Sequence, residues 1–156
     1  MRHRHLSYSQ LSQRYVDESE VAFVLPPEIR PDTEAYEIFT RSCARANDDY
    51  RELLERVEEQ VKDEPSATLR RKRARQTARS LLPNAAETKI VVTGNARAWR
   101  HFIELRGSPS ADTEIRRLAL VVLRALQQEA ETLFADYRVV RADDGTESVT
   151  TAFASV

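Results

Sequence analysis

Thr88-Lys89-Ile90-Val91-Val92-Thr93-Gly94-Asn95-Ala96-Arg97-Ala98-Trp99-Arg100-His101-Phe102-Ile103-Glu104-Leu105-Arg106-Gly107 takes the chain from a strand into a helix across a single glycine. Residues 88–93 are β-branched and apolar enough for a strand, and Gly94 ends it. Asn95 is a good N-cap, so the spacing predicts a helix from there through Arg106, stopped by Gly107 and Pro109. Ala98, Phe102 and Leu105 are set to pack inward, while Arg97 and His101 share a face at i,i+4. Trp99 reads as a packing residue rather than a ligand platform. A helix start directly after a strand leaves backbone N–H groups open to an anion. Arg106, in the last turn, complements the helix dipole whatever else it does.

Working outward, a further helix is expected from Asp112 or Thr113, with Ile115, Leu118, Ala119, Val122, Leu126 and Leu133 as its buried stripe. The tail from about residue 141 is open between two forms. Asp143-Asp144-Gly145 either turns a hairpin into Val149–Phe153 or lies in a loose end. Toward the N-terminus, Ser66 is placed to cap a helix that ends near Leu82-Pro83 and carries Arg70, Arg71, Lys72, Arg73, Arg75 and Arg79. Arg79, one turn before the proline, is placed to turn inward. Before it, Pro31-Asp32-Thr33 opens a long helix whose apolar positions recur every three or four residues: Phe39, Cys43, Ala46, Tyr50, Leu53, Val57 and Val61. Cys43 lies on that stripe and reads as a packing residue. Val21–Leu25, stopped by Pro26-Pro27, reads as a strand. The order of elements makes a helix-rich α+β chain, and its 156 residues fit one domain, 1–156.

Composition narrows the function. With 41% hydrophobic and 31% charged residues the chain reads as soluble and globular. It has no apolar run near the ~20 residues that span a bilayer. Leu6–Tyr15 is too polar for an export leader, so the cytoplasm is expected. Cys43 is the only cysteine and His3, His5 and His101 are the only histidines, so neither an intrachain disulfide nor a metal site is expected. Lys occurs only at positions 62, 72 and 89, so 21 of the 24 basic residues are Arg. That bias suits bidentate binding of phosphate, and lineage or codon bias explains it equally well.

Two basic segments deserve separate readings. Arg2-His3-Arg4-His5, with Ser7, Ser9, Ser12, Arg14 and Tyr15, concentrates the cations and hydroxyls that bind phosphate or polarise a carbonyl. It is also what a solvated basic end looks like. Arg70–Arg79 places charge on several helix faces, which fits either a solvated helix or a nucleic-acid or partner surface.

Arg2-His3-Arg4-His5-Leu6-Ser7-Tyr8-Ser9-Gln10-Leu11-Ser12-Gln13-Arg14-Tyr15 resembles the motif RHRxxSxNxxSxRY of the flavin-dependent thymidylate synthases. Every fixed position matches except Ser9, which stands in place of Asn and keeps a short hydrogen-bonding side chain. Ala74–Pro83 and Thr93–Arg106 are also similar to that family, and the resemblance runs from residue 2 to about 140.

The resemblance implies helices packed on a small, mostly antiparallel sheet. It also implies reductive methylation of dUMP to dTMP, with 5,10-methylenetetrahydrofolate as carbon donor, FAD as cofactor and NADPH as reductant, in a homotetramer with shared active sites. By motif position, Arg2, His3, Arg4, Gln10, Asn95, Ala96, Arg97 and His101 would contact FAD. Arg2, Gln10, Leu11, Ser12, Gln13, Arg14, Arg79 and Arg106 would contact dUMP. Arg106 would be the catalytic arginine, favouring ionisation at N3 of the uracil, and no metal or nucleic acid is implied.

Family members carry a sizeable segment ahead of this motif, which here begins at residue 2. Weak FAD binding and little turnover are therefore expected of this chain. A non-catalytic fragment, or a basic-helix module for nucleic acid or a partner subunit, is the competing reading.

Overall fold

The computed structural model describes residues 5–12 and 14–154. Arg2, His3, Arg4 and Gln13 lie outside the described residues. The element order is β1 (Ser7–Gln10), α1 (Thr33–Gln60), α2 (Ala67–Ala78), a 3-10 turn (Arg79–Leu81), β2 (Ile90–Thr93), α3 (Ala96–Arg106), α4 (Thr113–Glu129), α5 (Glu131–Phe134), β3 (Tyr137–Arg141) and β4 (Glu147–Thr151). The fold is α+β. Its strands form two separate two-stranded sheets, β1–β2 and β3–β4. The chain divides into two compact units, Ser9–Val91 and Met1–Tyr8 with Val92–Val156.

The Ser9–Val91 unit is built on a helical hairpin. No glycine or proline interrupts the 28 residues of α1, and the Asp32 carboxylate accepts the Ala35 N–H at 3.0 Å to cap it. After the Pro65 turn, Ser66 Oγ accepts the Leu69 N–H at 3.3 Å and starts α2. Ala74 and Ala78 are fully buried and bring the α2 backbone close to Tyr50, Leu54 and Val57 of α1. Burial pushes the Tyr50 phenol and the Cys43 thiol up from their ordinary values, as expected of packing residues.

Residues 21–25 do not form the expected strand. They make one isolated bridge, Phe23 to Ala86, flanked by Val24 N–H to Ala85 O and Glu87 N–H to Ala22 O, both 2.8 Å. Two prolines follow at once, and no second strand residue pairs there among the described residues.

The other unit centres on Phe102, Ile103, Ala119, Leu123, Phe134 and Tyr137. Asn95 Oδ1 accepts the Ala98 N–H at 2.9 Å, so α3 starts where the cap predicts and runs to Arg106. On α4 the buried residues are Ala119, Leu120 and Leu123, whereas Leu118 and Leu133 of the expected stripe are half exposed. Helical phase is lost at Ala130, whose backbone leaves the helical region. The short α5 then turns Phe134 inward in place of Leu133. Residues beyond 141 form a hairpin and not a loose end. β3 and β4 pair antiparallel in the register Val139 to Val149, closed by a turn in which Gly145 takes φ 80°.

Candidate functional site

In the Ser9–Val91 unit, the strand end is held by Gln10 Nε2 donating to Thr88 Oγ1 at 3.3 Å and Leu11 N–H to Lys89 O at 2.8 Å. The chain then turns, with the Tyr15 N–H donating to Ser12 O at 2.9 Å. From α2, Arg75 reaches back across this turn. It donates to Tyr15 O at 2.8 Å and to Asp17 Oδ2 at 3.1 Å. Asn47 and Arg51 of α1 both donate to Ser19 O, at 3.1 and 2.8 Å. The segment after Arg14 is thereby tied to both helices of the hairpin.

Those ties aim the motif side chains. Gln10, Leu11, Ser12, Arg14 and Arg79 line one open cleft of about 330 Å³. Two guanidinium groups and a hydroxyl on a mostly polar lining suit a phosphate, which two planar forks can bind bidentately. Arg79 does not turn inward as expected. It lies in the 3-10 turn after α2 and is exposed, which sets it on the cleft wall.

Beside Arg14 stands Tyr15, with the Arg14 guanidinium 5.8 Å and the Lys72 ammonium 5.3 Å from its ring centre. A hydrogen bond from Lys72, then its charge, holds the Tyr15 phenol below its ordinary value. Asp17 is held low first by its bond from Ser19 and further by Arg75, while burial pushes Glu18 up.

Arg75 and Lys72 were invisible as individuals in the basic run. Helical spacing gave no signal for them, since Arg70 and Arg71 lie nearer than Arg75 or Arg79 to the face that Ala74 and Ala78 bury.

In the other unit, the start of α3 carries Asn95, Ala96 and Arg97, with Asn95 and Arg97 exposed. Gly94 leaves room there for the tip of the Leu6 side chain. A Cβ on it would come within 2.4 Å of Leu6 Cδ2 and 3.3 Å of Ala98 Cβ. His101 meets His5 edge to face, with ring centres 6.2 Å apart. Trp99 packs edge to face on Phe102 at 5.8 Å.

Arg106 closes the far end of α3, roughly 17 Å from Asn95 at about 1.5 Å per residue. It is half-buried and lines a cleft of about 540 Å³ with Asp112, Glu114, Ile115 and Leu118. Hence Gln10, Leu11, Ser12, Arg14 and Arg79 come together, Asn95, Ala96 and Arg97 form a second group with His101 one turn on, and Arg106 stands at the opposite helix end.

The α+β scaffold thus carries an open, mostly polar cleft in one unit and, in the other, a helix capped directly after a strand. The chain belongs to the family described as thymidylate synthase complementing protein, whose model matches residues 1–131. It is 56% identical over 155 residues to a flavin-dependent thymidylate synthase of Mycolicibacterium vanbaalenii, and 53% identical to those of Mycobacterium avium and Mycobacterium tuberculosis. Each alignment covers 99% of this chain and 62% of the relative, so the chain spans a little under two thirds of their length.

Proposed function

We propose that this chain supplies the dUMP-facing surface, and part of the flavin-facing surface, of a flavin-dependent thymidylate synthase that methylates dUMP to dTMP. The observation that carries the reading is the cleft of Gln10, Leu11, Ser12, Arg14 and Arg79, which draws residues some 65 positions apart in sequence into one mostly polar lining.

In this reading Ser12, Arg14 and Arg79 hold the nucleotide phosphate, with Gln10, Leu11 and Gln13 beside it and Arg2 at its border. Arg106 places a permanent positive charge beside the uracil. That favours the N3-ionised ring and raises electron density at C5, where the one-carbon unit is received. Arginine stays protonated at any working pH, so its part is electrostatic and it moves no proton.

The residues at the start of α3 fit one portion of a flavin. Asn95 and Arg97 are exposed there, with the Ala98 N–H already held by the Asn95 cap. Arg2, His3, Arg4, Gln10, Ala96 and His101 complete the proposed flavin contacts. FAD, reduced by NADPH, supplies the hydride, and 5,10-methylenetetrahydrofolate supplies the carbon. A homotetramer with shared sites is part of the same proposal, and light scattering measures it.

The competing basic-helix module has less support. Arg70 donates to Glu64 O at 2.7 Å, Arg71 to Ala67 O at 3.3 Å, Arg73 pairs with Glu64 at 3.0 Å, and Arg75 holds Tyr15 and Asp17. The arginines that suggested a nucleic-acid face are engaged within their own unit.

Thermal protection tests the phosphate site directly. A ligand at ~100 times its Kd stabilises by ~2.7 kcal/mol. dUMP is expected to raise the melting temperature where deoxyuridine does not, and Arg14→Ala or Arg79→Ala is expected to abolish that difference. Equal protection by the two ligands, or by neither, sinks the phosphate assignment. dTMP formation with FAD, NADPH and methylenetetrahydrofolate tests the chemistry.

A further inference from the structure

We infer that the C-terminal hairpin β3–β4 is the positioning device for Arg106, acting through Gly107 and Val149 on one side of it and through Arg100 and Asp136 on the other. The inference rests on the proposed role of Arg106 at the uracil and extends it to residues that role does not include.

The first anchor lies one residue beyond Arg106. The Gly107 N–H donates to Ile103 O at 2.7 Å and closes the last turn of α3, while the Gly107 carbonyl accepts the Val149 N–H at 2.7 Å. Gly107 has φ −83°, ψ −4°, a conformation open to any residue, so backbone freedom is not why glycine stands there. Space is the reason. A Cβ would lie 2.6 Å from Val149 Cγ2, 2.8 Å from Val149 Cβ and 2.7 Å from Ile103 O. The strand is pressed onto the helix end as closely as a bare backbone permits.

The second anchor lies six residues earlier, roughly 9 Å along the axis. The Arg100 fork donates to both oxygens of Asp136, at 2.6 and 2.7 Å, and Arg100 also donates to Leu133 O at 2.7 Å. Thr151, the last residue of β4, donates its hydroxyl to the same Asp136 carboxylate. The Arg100 guanidinium stacks 4.5 Å over the Tyr137 ring, and Tyr137 in turn donates to Glu104 at 2.7 Å. With so many donors, the Asp136 carboxyl is held well below the ordinary range, Arg100 contributing most.

The middle of β4 and the open end of the hairpin therefore grip α3, one on either side of Arg106 along the helix. Between the two grips the helix cannot rotate or slide without breaking a bidentate ion pair or driving Val149 off Gly107. That matters for a guanidinium whose effect falls off with distance from the ring, because a displacement of about 1 Å is enough to cost ~100-fold in rate. Gly107, Val149, Arg100 and Asp136 are positioning residues, and none of them needs to touch substrate.

The test reads the ionisation of bound uracil, which a purely structural role would leave alone. Ultraviolet difference spectra of bound dUMP across pH give the midpoint for loss of the N3 proton, and titration gives dUMP affinity. Gly107→Ala and Asp136→Asn are expected to move the midpoint toward that of free dUMP by about one pH unit, a tenfold change in the equilibrium. Arg106→Ala moves it in the same direction. For Gly107→Ala and Asp136→Asn, neither of which touches dUMP in this reading, affinity is expected to hold, since the phosphate residues are unchanged.

Leu54→Ala, in the helical hairpin of the other unit, controls for lost stability and is expected to leave the midpoint in place. If Gly107→Ala and Asp136→Asn do no more than Leu54→Ala while Arg106→Ala shifts the midpoint, the positioning inference is overturned and the function stands. If Arg106→Ala itself has no effect, or dUMP does not bind, the functional reading falls and takes the inference with it. Amide exchange at Gly107 and Val149 supplies a readout free of ligand. Exchange faster in Asp136→Asn than in Leu54→Ala supports the coupling, and equal exchange overturns it.

Discussion

Helices α2 and α3 are nearly equal in length and similarly rich in arginine, yet they use that residue in opposite ways. α2 buries only Ala74 and Ala78, and its arginines attach to backbone carbonyls and to Glu64 and Asp17 at the surface. α3 buries Ala98, Phe102 and Ile103, and draws Arg100 into a bidentate pair with Asp136 whose side chains are 24% and 18% exposed. The first helix is held by close backbone approach to α1, the second by side-chain volume and one enclosed ion pair. Stability should accordingly be lost at α3 by deletion and at α2 by insertion.

The largest effect is expected from Phe102→Ala. Phe102 is 2% exposed in the centre of its core, and removing a buried ring costs ~3–5 kcal/mol. Urea unfolding with an unchanged slope measures it, and a loss below about 1 kcal/mol would show that the core closes over the space. Next is the ion pair. Arg100→Ala leaves Asp136 without its guanidinium donors, and because the pair retains some solvent contact the loss is set at about 2–3 kcal/mol, below that of a fully buried pair.

The pH dependence follows in sign. Asp136 has a depressed pKa when folded, so its contribution is complete above the unfolded carboxylate value of ~3.9 and is lost as pH falls from there through the folded value. Asp136→Asn should therefore lose stability at neutral pH and show a flatter acid limb than the unsubstituted chain. An acid limb of unchanged slope would assign acid unfolding to other carboxylates.

For α2 the expected weak point is reversed. Ala74→Leu forces about three additional heavy atoms toward Tyr50 and Leu54, with a cost of about 1–3 kcal/mol, whereas Arg73→Ala at the surface should fall within about ±0.5 kcal/mol.

How far the sequence could be read follows from the same contrast. Helix α3 announced itself because a strand, a glycine, an N-cap and a C-terminal glycine agree within twenty residues. The polar cleft was legible only as a motif, since Arg79 joins Ser12 and Arg14 through a turn that periodicity does not encode. Arg75 was hidden among equivalent charges, because its two acceptors lie near Tyr15, 60 residues away. Leu133 was misplaced on the α4 stripe by carrying one helical phase through Ala130, where the backbone breaks, and Leu118, before the break, lies off the face that buries Ala119, Leu120 and Leu123. The hairpin beyond 141 was visible as a turn, but its grip on α3 depends on Gly107 having no Cβ, which a sequence shows only as an ordinary helix stop.

The smallest effects sharpen the comparison at the two N-caps. Asn95 Oδ1 accepts the Ala98 N–H at 2.9 Å in a partly buried setting, and Ser66 Oγ accepts the Leu69 N–H at 3.3 Å in solvent. Replacing a cap by alanine costs ~0.5–2 kcal/mol, and the shorter, less hydrated bond belongs at the upper end of that range. Asn95→Ala is thus expected to cost more than Ser66→Ala by several tenths of a kcal/mol, in matched urea denaturations. The order has a structural reason beyond bond length. Ser66 sits on the tight link from α1 to α2, where Pro65 and the buried alanines already define the entry of α2. Asn95 must by itself turn a strand into a helix beside Gly94. Equal losses at the two caps would mean that packing of Leu6 against Gly94, rather than the cap, sets the start of α3.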